Sequence, residues 1–348
     1  MAYTARVPRP PRLFPQFCAF ALLAVTLTGC GVVGGESSTA TPTATSSPTY
    51  TRTPTRTATP TPTDTPAPEP TATSTPVPPP PSAQQQPPSA TGDTLPQGQT
   101  TVIRVPRGIA NGATAIYRGR EHRMLPDGDA FWTVIGAGAT QETGAYTIVI
   151  NMLDERGALI EEVRRSITIT PTGWPVEYIT LPPGQIEGIP AEEVQKEINT
   201  RAAVFAGWTP EKLWSGPFIL PSNGPVTASF GDARSYNGGP VGSHHSGTDF
   251  GAPEGAPVAA SARGRVAYVG YLATRGNSII IDHGVGVFTG YHHLSRIDVV
   301  HGQEVAQGQV IGGVGATGLA TGPHLHWELI VGGINVSPVW WTYQGVAP

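Results

Sequence analysis

The sequence His245-Ser-Gly-Thr-Asp249, answered further along the chain by His324-Leu-His326, decides how the C-terminal part of the protein folds. In an extended strand, residues i and i+2 point to the same face, so His324 and His326 can both face one cleft. Imidazole nitrogens and a carboxylate oxygen are ligands that zinc prefers, and three protein ligands leave a fourth position open for water. Only one of the nine histidines, His122, precedes residue 244. The histidines therefore predict a zinc centre in the last third of the chain.

Short glycine-containing motifs surround these histidines. They are Phe230-Gly231, His245-Ser-Gly-Thr-Asp249-Phe250, Gly255-Ala-Pro257-Val258, Gly276-Asn277, Asp282-His283-Gly284, Tyr291-His292-His293-Leu294, Thr317-Gly318 and Gly322-Pro323-His324-Leu325-His326. In this order, over about residues 217–341, they resemble the lysostaphin-type (LytM-type) zinc metallopeptidases, which cut peptide cross-links in peptidoglycan. The resemblance implies an antiparallel, two-sheet β fold with the metal site in a groove between loops.

The resemblance also implies a role for each of five residues. His245 and Asp249 match the family's first two zinc ligands, and His326 matches the third. His293 and His324 match its two catalytic histidines. All five positions are occupied, whereas members that lack ligands serve as binding modules or amidase activators. The implied activity is a zinc-dependent endopeptidase that hydrolyses peptidoglycan cross-links during cell-wall remodelling.

Two other functions remain open at this point. One is a non-catalytic wall-binding or hydrolase-activating regulator that keeps a zinc site. The other is a protease for glycyl peptides outside the wall. A zincin mechanism is excluded because no His-Glu-x-x-His motif supplies a glutamate base, and the missing Gly-x-Ser-x-Gly elbow argues against serine catalysis. The bond cleaved, and which of His293 and His324 is the general base, also remain open.

The remaining histidines are interpreted as structural or surface residues. His244 and His292 are neighbours of predicted site residues, and strand alternation turns such neighbours to the opposite face. His283 lies in a glycine-bounded turn, and His301 in a surface turn. His122 stands between two charged residues and is expected to be solvated.

The two residues after His326 extend the same alternation argument. Trp327 is expected to point into the core, away from the metal. Glu328 is expected on the metal side, where it either supports a ligand or has no role.

Residues 1–30 resemble a bacterial lipoprotein signal. Arginines precede an apolar run that is short for a membrane span, and Leu27-Thr28-Gly29-Cys30 resembles a lipobox. We expect a lipidated Cys30 that anchors the protein to a membrane outside the cytoplasm; the alternative is an ordinary signal peptide cut nearby. Residues 31–96 are rich in Thr and Pro and predict a disordered stalk, because they lack the apolar side chains of a core.

The rest of the chain predicts an all-β protein with one helix. Residues 97–183 contain short β-type runs and turn signals, which predict a small β-sandwich-like accessory domain. Residues 184–212 are predicted as a helical linker, with a helix from Pro190 to about Phe205 that packs between the β domains or against the second. Residues 213–348 are predicted as the lysostaphin-type catalytic domain, rich in glycine turns.

Charge and cysteine usage limit the partners. The net charge is −4 with no basic run, so a nucleic-acid partner is not expected. Both cysteines, Cys18 and Cys30, lie in the N-terminal segment, so the folded part has neither a disulfide nor thiolate chemistry. The expected partners are peptidoglycan and, through Cys30, a membrane, while an activating protein is left open.

Overall fold

The computed structural model describes residues 93–180 and 188–343, which lie within one compact unit, Ala72–Pro348. We refer to residues 93–170 as the N-terminal region and to residues 206–343 as the C-terminal region. The predicted signal segment with Cys30 and nearly all of the predicted stalk lie outside the described residues. The described residues confirm the predicted fold class, a mainly antiparallel all-β structure with one α-helix.

Among these ranges, no helix has both the length and the apolar character needed to cross a lipid bilayer.

The N-terminal region is a two-sheet structure. One sheet has the strand order β1-β8-β7-β3-β4, and the other has the order β2-β6-β5. Alternating side chains from both sheets fill a core that includes Tyr117, Phe131 and Ile150. The strands are β1 (Thr94–Pro96), β2 (Thr100–Pro106), β3 (Gly112–Tyr117), β4 (Arg120–Arg123), β5 (Leu125–Asp127), β6 (Ala130–Gly136), β7 (Gly144–Leu153) and β8 (Leu159–Thr170).

A short strand and the helix connect the two regions. Strand β9 (Val176–Ile179) pairs in parallel with a strand of the C-terminal region, and helix α1 spans Ala191–Phe205. The helix begins after Pro190, whose ψ of 138° is not helical, and its first turn carries Glu192 and Glu193, where the helix dipole favours acidic residues. Phe205 packs on Phe288, so the helix lies against the C-terminal region, one of the two predicted placements.

The C-terminal region is built on one large sheet with the order β10-β13-β21-β17-β16-β15-β19, to which β22 adds beside β21. Smaller sheets have the orders β12-β11-β9 and β14-β20-β18. Trp327 is fully buried in the core, as predicted. The strands are β10 (Val226–Ala228), β11 (Ala233–Tyr236), β12 (Val241–His244), β13 (Thr248–Gly251), β14 (Pro257–Ala259), β15 (Gly264–Leu272), β16 (Gly276–Gly284), β17 (Val287–Leu294), β18 (Arg296–Ile297), β19 (Glu304–Val305), β20 (Val310–Gly313), β21 (His324–Val331) and β22 (Ile334–Val336), and a 3₁₀ turn covers Val339–Thr342.

The two regions share a hydrophobic core. Trp132 and Val134 of β6 belong to the same buried cluster as Trp214 and Trp341 of the C-terminal region. The indole nitrogen of Trp341 also donates a hydrogen bond to Thr100 Oγ1 at 3.0 Å. Because the regions are joined by this core, the predicted division at 183 and 213 stays a prediction.

His122 lies at the contact between the regions, and the prediction that it is solvated is wrong. Its side chain is 6% exposed and packs against Gly332, where a Cβ atom would lie 2.4 Å from the imidazole ring. On β4, His122 pairs with the buried Ala115, so strand alternation points it inward while its charged neighbours point outward. Burial, assisted by Arg120, lowers the pKa of His122 to about 4.

Candidate metal centre

Two adjacent strands and the turn before one of them bring the predicted metal ligands together. Strands β13 and β21 pair so that Asp249 lies opposite His326, and His245 precedes β13 by one short turn. Asp249 Oδ1 lies 2.6 Å from His326 Nδ1 and 3.0 Å from His245 Nε2. All three residues are buried, and among the residues that the structure describes they form the group able to hold a metal ion. Gly247 lies inside this turn because a Cβ atom there would come within 2.3 Å of the Trp327 carbonyl oxygen.

The donor atoms of this cluster fit a zinc ion. His245 Nε2, His326 Nδ1 and Asp249 Oδ1 turn their lone pairs toward one point, so a proton or a metal cation must lie between them. Burial raises the pKa of Asp249, but His326 and His245 outweigh burial and hold it well below the usual value, so the group is a carboxylate. Nitrogen and oxygen ligands in this number are those of open, tetrahedral zinc sites.

The outward-facing nitrogen of each ligand histidine has its own partner. His245 Nδ1 donates to the Ser229 carbonyl at 2.9 Å. His326 Nε2 lies 3.2 Å from Glu328 Oε1. Such partners fix the tautomer and orientation of a ligating imidazole. Glu328 therefore lies on the metal side of β21, as strand alternation predicts, and it contacts a predicted ligand.

His293 and His324, the two predicted catalytic histidines, lie beside the cluster. Their ring centroids are 4.7 Å apart, and the His293 ring lies 6.0 Å from that of His326. His293 Nδ1 donates to the Thr317 carbonyl, and His324 Nδ1 donates to the Gly322 carbonyl, each at 2.8 Å. The Nε2 atom of each ring is thereby left as the proton acceptor. The structure thus brings all five predicted site residues together.

The backbone at His293 explains how its side chain reaches the site. Its φ of 61° lies in the left-handed region, which is uncommon for residues other than glycine. This conformation breaks the strand alternation, so His293 and His292 both turn toward β21. The prediction that His292 faces away is therefore wrong: its ring lies 5.7 Å from that of His326, and its Nε2 lies 3.3 Å from Glu328.

The other C-terminal histidines occupy structural or surface positions. His283 is buried, donates from Nδ1 to the Arg263 carbonyl at 2.8 Å and accepts a hydrogen bond from Thr289 at 2.7 Å. Burial lowers its pKa to about 4, so it is neutral at physiological pH. His301 is exposed in a turn, as predicted, and His244 is half-buried.

Four charged residues near the site were missed by the sequence reasoning. Arg234 donates to Asp249 Oδ2 at 3.3 Å and to Glu177 Oε2 of β9 at 3.0 Å. Glu328 pairs with Arg201 of α1 and with Arg275 of the β15–β16 turn. Arg275 pairs in addition with Glu197 of α1. No motif spacing singles out these residues, because they come from separate elements and meet only in the folded chain.

Comparison with known proteins links this geometry to a family. The sequence profile of Peptidase family M23 matches residues 243–338, which include all five predicted site residues. DD-carboxypeptidase/endopeptidase Mpg of Neisseria meningitidis is 47% identical over 95 residues, and peptidoglycan DD-endopeptidase ShyA of Vibrio cholerae is 51% identical over 93 residues. Each alignment covers 27% of this chain and 22% of the relative, so the chain spans about a fifth of the length of these relatives.

A solved structure resembles a larger part of the chain. The crystal structure of a protein from Pseudomonas aeruginosa assigned to peptidase M23 superimposes with a TM-score of 0.53 at 26% identity. The alignment covers 70% of this chain and 94% of that protein. The structural likeness therefore extends beyond residues 243–338.

Proposed function

Residues 243–338 belong to Peptidase family M23, and on that premise we propose that the protein is a zinc-dependent endopeptidase that hydrolyses peptide cross-links of bacterial peptidoglycan. The observation that carries this proposal is the convergence of three buried ligand atoms with two further histidines. The peptidoglycan DD-endopeptidase ShyA, similar over this domain, supports the substrate class. Such a substrate lies outside the cytoplasm, in the cell envelope.

The metal is held by His245 Nε2, Asp249 Oδ1 and His326 Nδ1 in this proposal. When bound, zinc supplies a Lewis acid that polarises the scissile carbonyl and acidifies a water molecule. Buried surroundings strengthen the electrostatic effect because little water is present to screen it.

His293 and His324 handle the protons. Burial, with His326 and His324 nearby, holds the pKa of His293 well below its usual value, so its ring is neutral and able to accept a proton. Because both Nδ1–H groups are held by carbonyl oxygens, the proton removed from the attacking water goes to an Nε2 atom. The resulting N–H can donate to the tetrahedral oxyanion or deliver its proton to the leaving amine. We assign these steps to the pair jointly, since both rings hold the same tautomer.

The test is mass spectrometry of purified peptidoglycan after incubation with the zinc-loaded chain. We expect new muropeptides with the intact protein and with the His301→Ala control, and none with His245→Ala. The masses of the products identify the bond that is cut. Activity that survives His245→Ala would overturn the site assignment. No products from an intact protein with zinc bound would favour the non-catalytic regulator.

We also propose that a lipidated Cys30 anchors the protein and that the predicted stalk, up to the start of strand β1 at Thr94, holds the enzyme away from the membrane. The lipobox-like sequence supports the anchor, and the Thr/Pro composition supports an extended spacer. Labelled fatty acid is expected on the intact chain, which should fractionate with membranes. A Cys30→Ser chain that still carries the label and stays in the membrane fraction would refute the anchor.

A further inference from the structure

A buried carboxylate connects the metal centre to helix α1. Glu328 is fully buried and yet makes six polar contacts with five residues. Its Oε1 atom accepts hydrogen bonds from Ser246 Oγ at 2.7 Å, Arg275 Nη2 at 2.8 Å and Arg275 Nε at 3.2 Å, and it lies 3.2 Å from His326 Nε2. Its Oε2 atom accepts a hydrogen bond from Arg201 and lies 3.3 Å from His292 Nε2. Burying such a charge without partners costs several kcal/mol, so the two arginines stabilise it where it lies.

One of the two arginines comes from the helix, outside the family match. Arg201 lies on α1 and contacts Glu328 directly, with its side chain only 13% exposed. Glu197, one turn earlier on the same helix face, accepts from Arg275 Nη1 at 2.6 Å and from both the backbone and the hydroxyl of Thr274 at 2.7 Å. The helix therefore supplies one cation to Glu328 and orients the other.

The contact with Glu328 determines which ring nitrogen of His326 faces the metal site. An N–H at Nε2 donates to Glu328, so the other ring nitrogen, Nδ1, faces Asp249 and His245. If the carboxylate moved away, Nε2 would keep the longer contact to Ser246 Oγ at 3.3 Å, and the ring would be held less firmly in the orientation that makes the three donor atoms converge. Partners of this kind commonly change metal affinity by about 10- to 100-fold when they are removed.

We propose that helix α1 is a positioning element of the metal site and that Arg201 is a positioning residue, which orients Glu328 and through it the His326 imidazole. The inference deepens the proposed zinc site and rests on it. Under this proposal metal binding requires helix α1, although the helix lies outside residues 243–338, which match the family.

The test compares variants of the full chain in two measurements. The first is the zinc dissociation constant from competition with a chelator. The second is the ¹H–¹⁵N signal of His326 Nε2 in the metal-free protein, which reports whether that nitrogen holds a hydrogen-bonded proton. Lys196→Met is the matched control, because Lys196 lies on the same helix but contacts only the exposed Glu193.

We expect Arg201→Gln to weaken zinc binding by about 10-fold or more, toward the loss caused by Glu328→Gln. Arg201→Lys should restore part of the affinity because it returns the cation. A hydrogen-bonded proton should be seen at His326 Nε2 in the intact protein and in Lys196→Met, and its signal should be lost in Arg201→Gln.

A folded Arg201→Gln chain with the zinc affinity and the His326 Nε2–H signal of the control would overturn the inference. If Arg201→Gln does not fold, Glu197→Gln gives the same comparison through Arg275, with weaker zinc binding expected and unchanged binding contradicting it. An intact chain that binds no zinc would instead refute the proposed function, while the Nε2–H signal in the metal-free protein still tests the helix.

Discussion

The N-terminal and C-terminal regions are both β structures, but they bury different chemistry. Among the described residues of the N-terminal region, His122 is the one buried side chain of the Asp, Glu, His, Lys and Arg types. The C-terminal region buries four of the five site residues, with His324 half-buried, and it also buries Glu328, beside which lies the buried Glu197 of α1. Buried charges are costly unless they are paired, so their concentration in one region marks where the fold supports chemistry rather than stability alone.

The largest effect that would sharpen this contrast is expected on activity, when His293 or His324 is replaced. His293→Ala or His324→Ala should lower the rate of cross-link cleavage by about 100- to 10,000-fold, because each removes one of the two proposed proton-transfer groups. Zinc affinity should change little, since neither ring belongs to the three proposed ligands. Muropeptide release and chelator competition measure the two quantities separately. If either variant lost zinc as fully as His245→Ala, that histidine would be a ligand instead.

The next effect tests the apolar core that the two regions share. Trp132→Ala should lower the free energy of unfolding by about 3–5 kcal/mol, because the indole is 3% exposed and its removal leaves a cavity. Urea unfolding followed by circular dichroism measures this change. Ile109→Ala is the control, since Ile109 is 89% exposed and should change stability by no more than about 0.5 kcal/mol. Equal losses for the two variants would contradict the shared core.

A smaller effect concerns pH and His122. Its pKa falls from the ordinary 6.5 to about 4 in the folded chain, so the unfolded chain binds a proton more readily between these values. The stability that the buried, neutral His122 contributes is therefore fully present above pH 6.5. It declines as the pH falls toward 4, by up to about 3 kcal/mol. His122→Asn should flatten this part of the pH dependence, measured by urea unfolding at a series of pH values. An unchanged slope would show that His122 does not carry it.

The smallest effect is expected on the surface. Arg263 and Glu304 form an ion pair at 3.3 Å, with side chains 51% and 74% exposed. Glu304→Ala should change the free energy of unfolding by less than about 0.5 kcal/mol, because water and salt screen exposed pairs. A loss above 1 kcal/mol in urea unfolding would mean that the pair matters more than its exposure indicates.

The sequence predicted the parts of the structure that follow local rules. Alternation along β21 placed Trp327 in the core and Glu328 on the metal side, and the acidic first turn predicted a helix beginning next to Pro190. Spacing alone could also bring His324 and His326 to one strand face. Each of these predictions depends only on residues close in sequence, where strand and helix periodicity are reliable guides.

Predictions failed where the backbone or distant contacts override periodicity. His293 adopts a positive φ, so the alternation that should separate it from His292 does not hold. His122 is buried because another part of the chain covers it, and its charged neighbours conceal this in the sequence. Arg201 meets Glu328 across 127 positions of sequence, and no local pattern reports such a contact.

The bond from Trp341 to Thr100 joins almost the last described residues to the first strands of the N-terminal region. With Trp132 in the same apolar cluster, neither region can open without exposing indole surface of the other. We therefore expect the two regions to melt together, as a single calorimetric transition. Proteolytic trimming into strand β1 or into the 3₁₀ turn at Val339–Thr342 would then weaken the whole assembly, so the metal centre and the N-terminal sheets would persist or be lost as one cooperative unit.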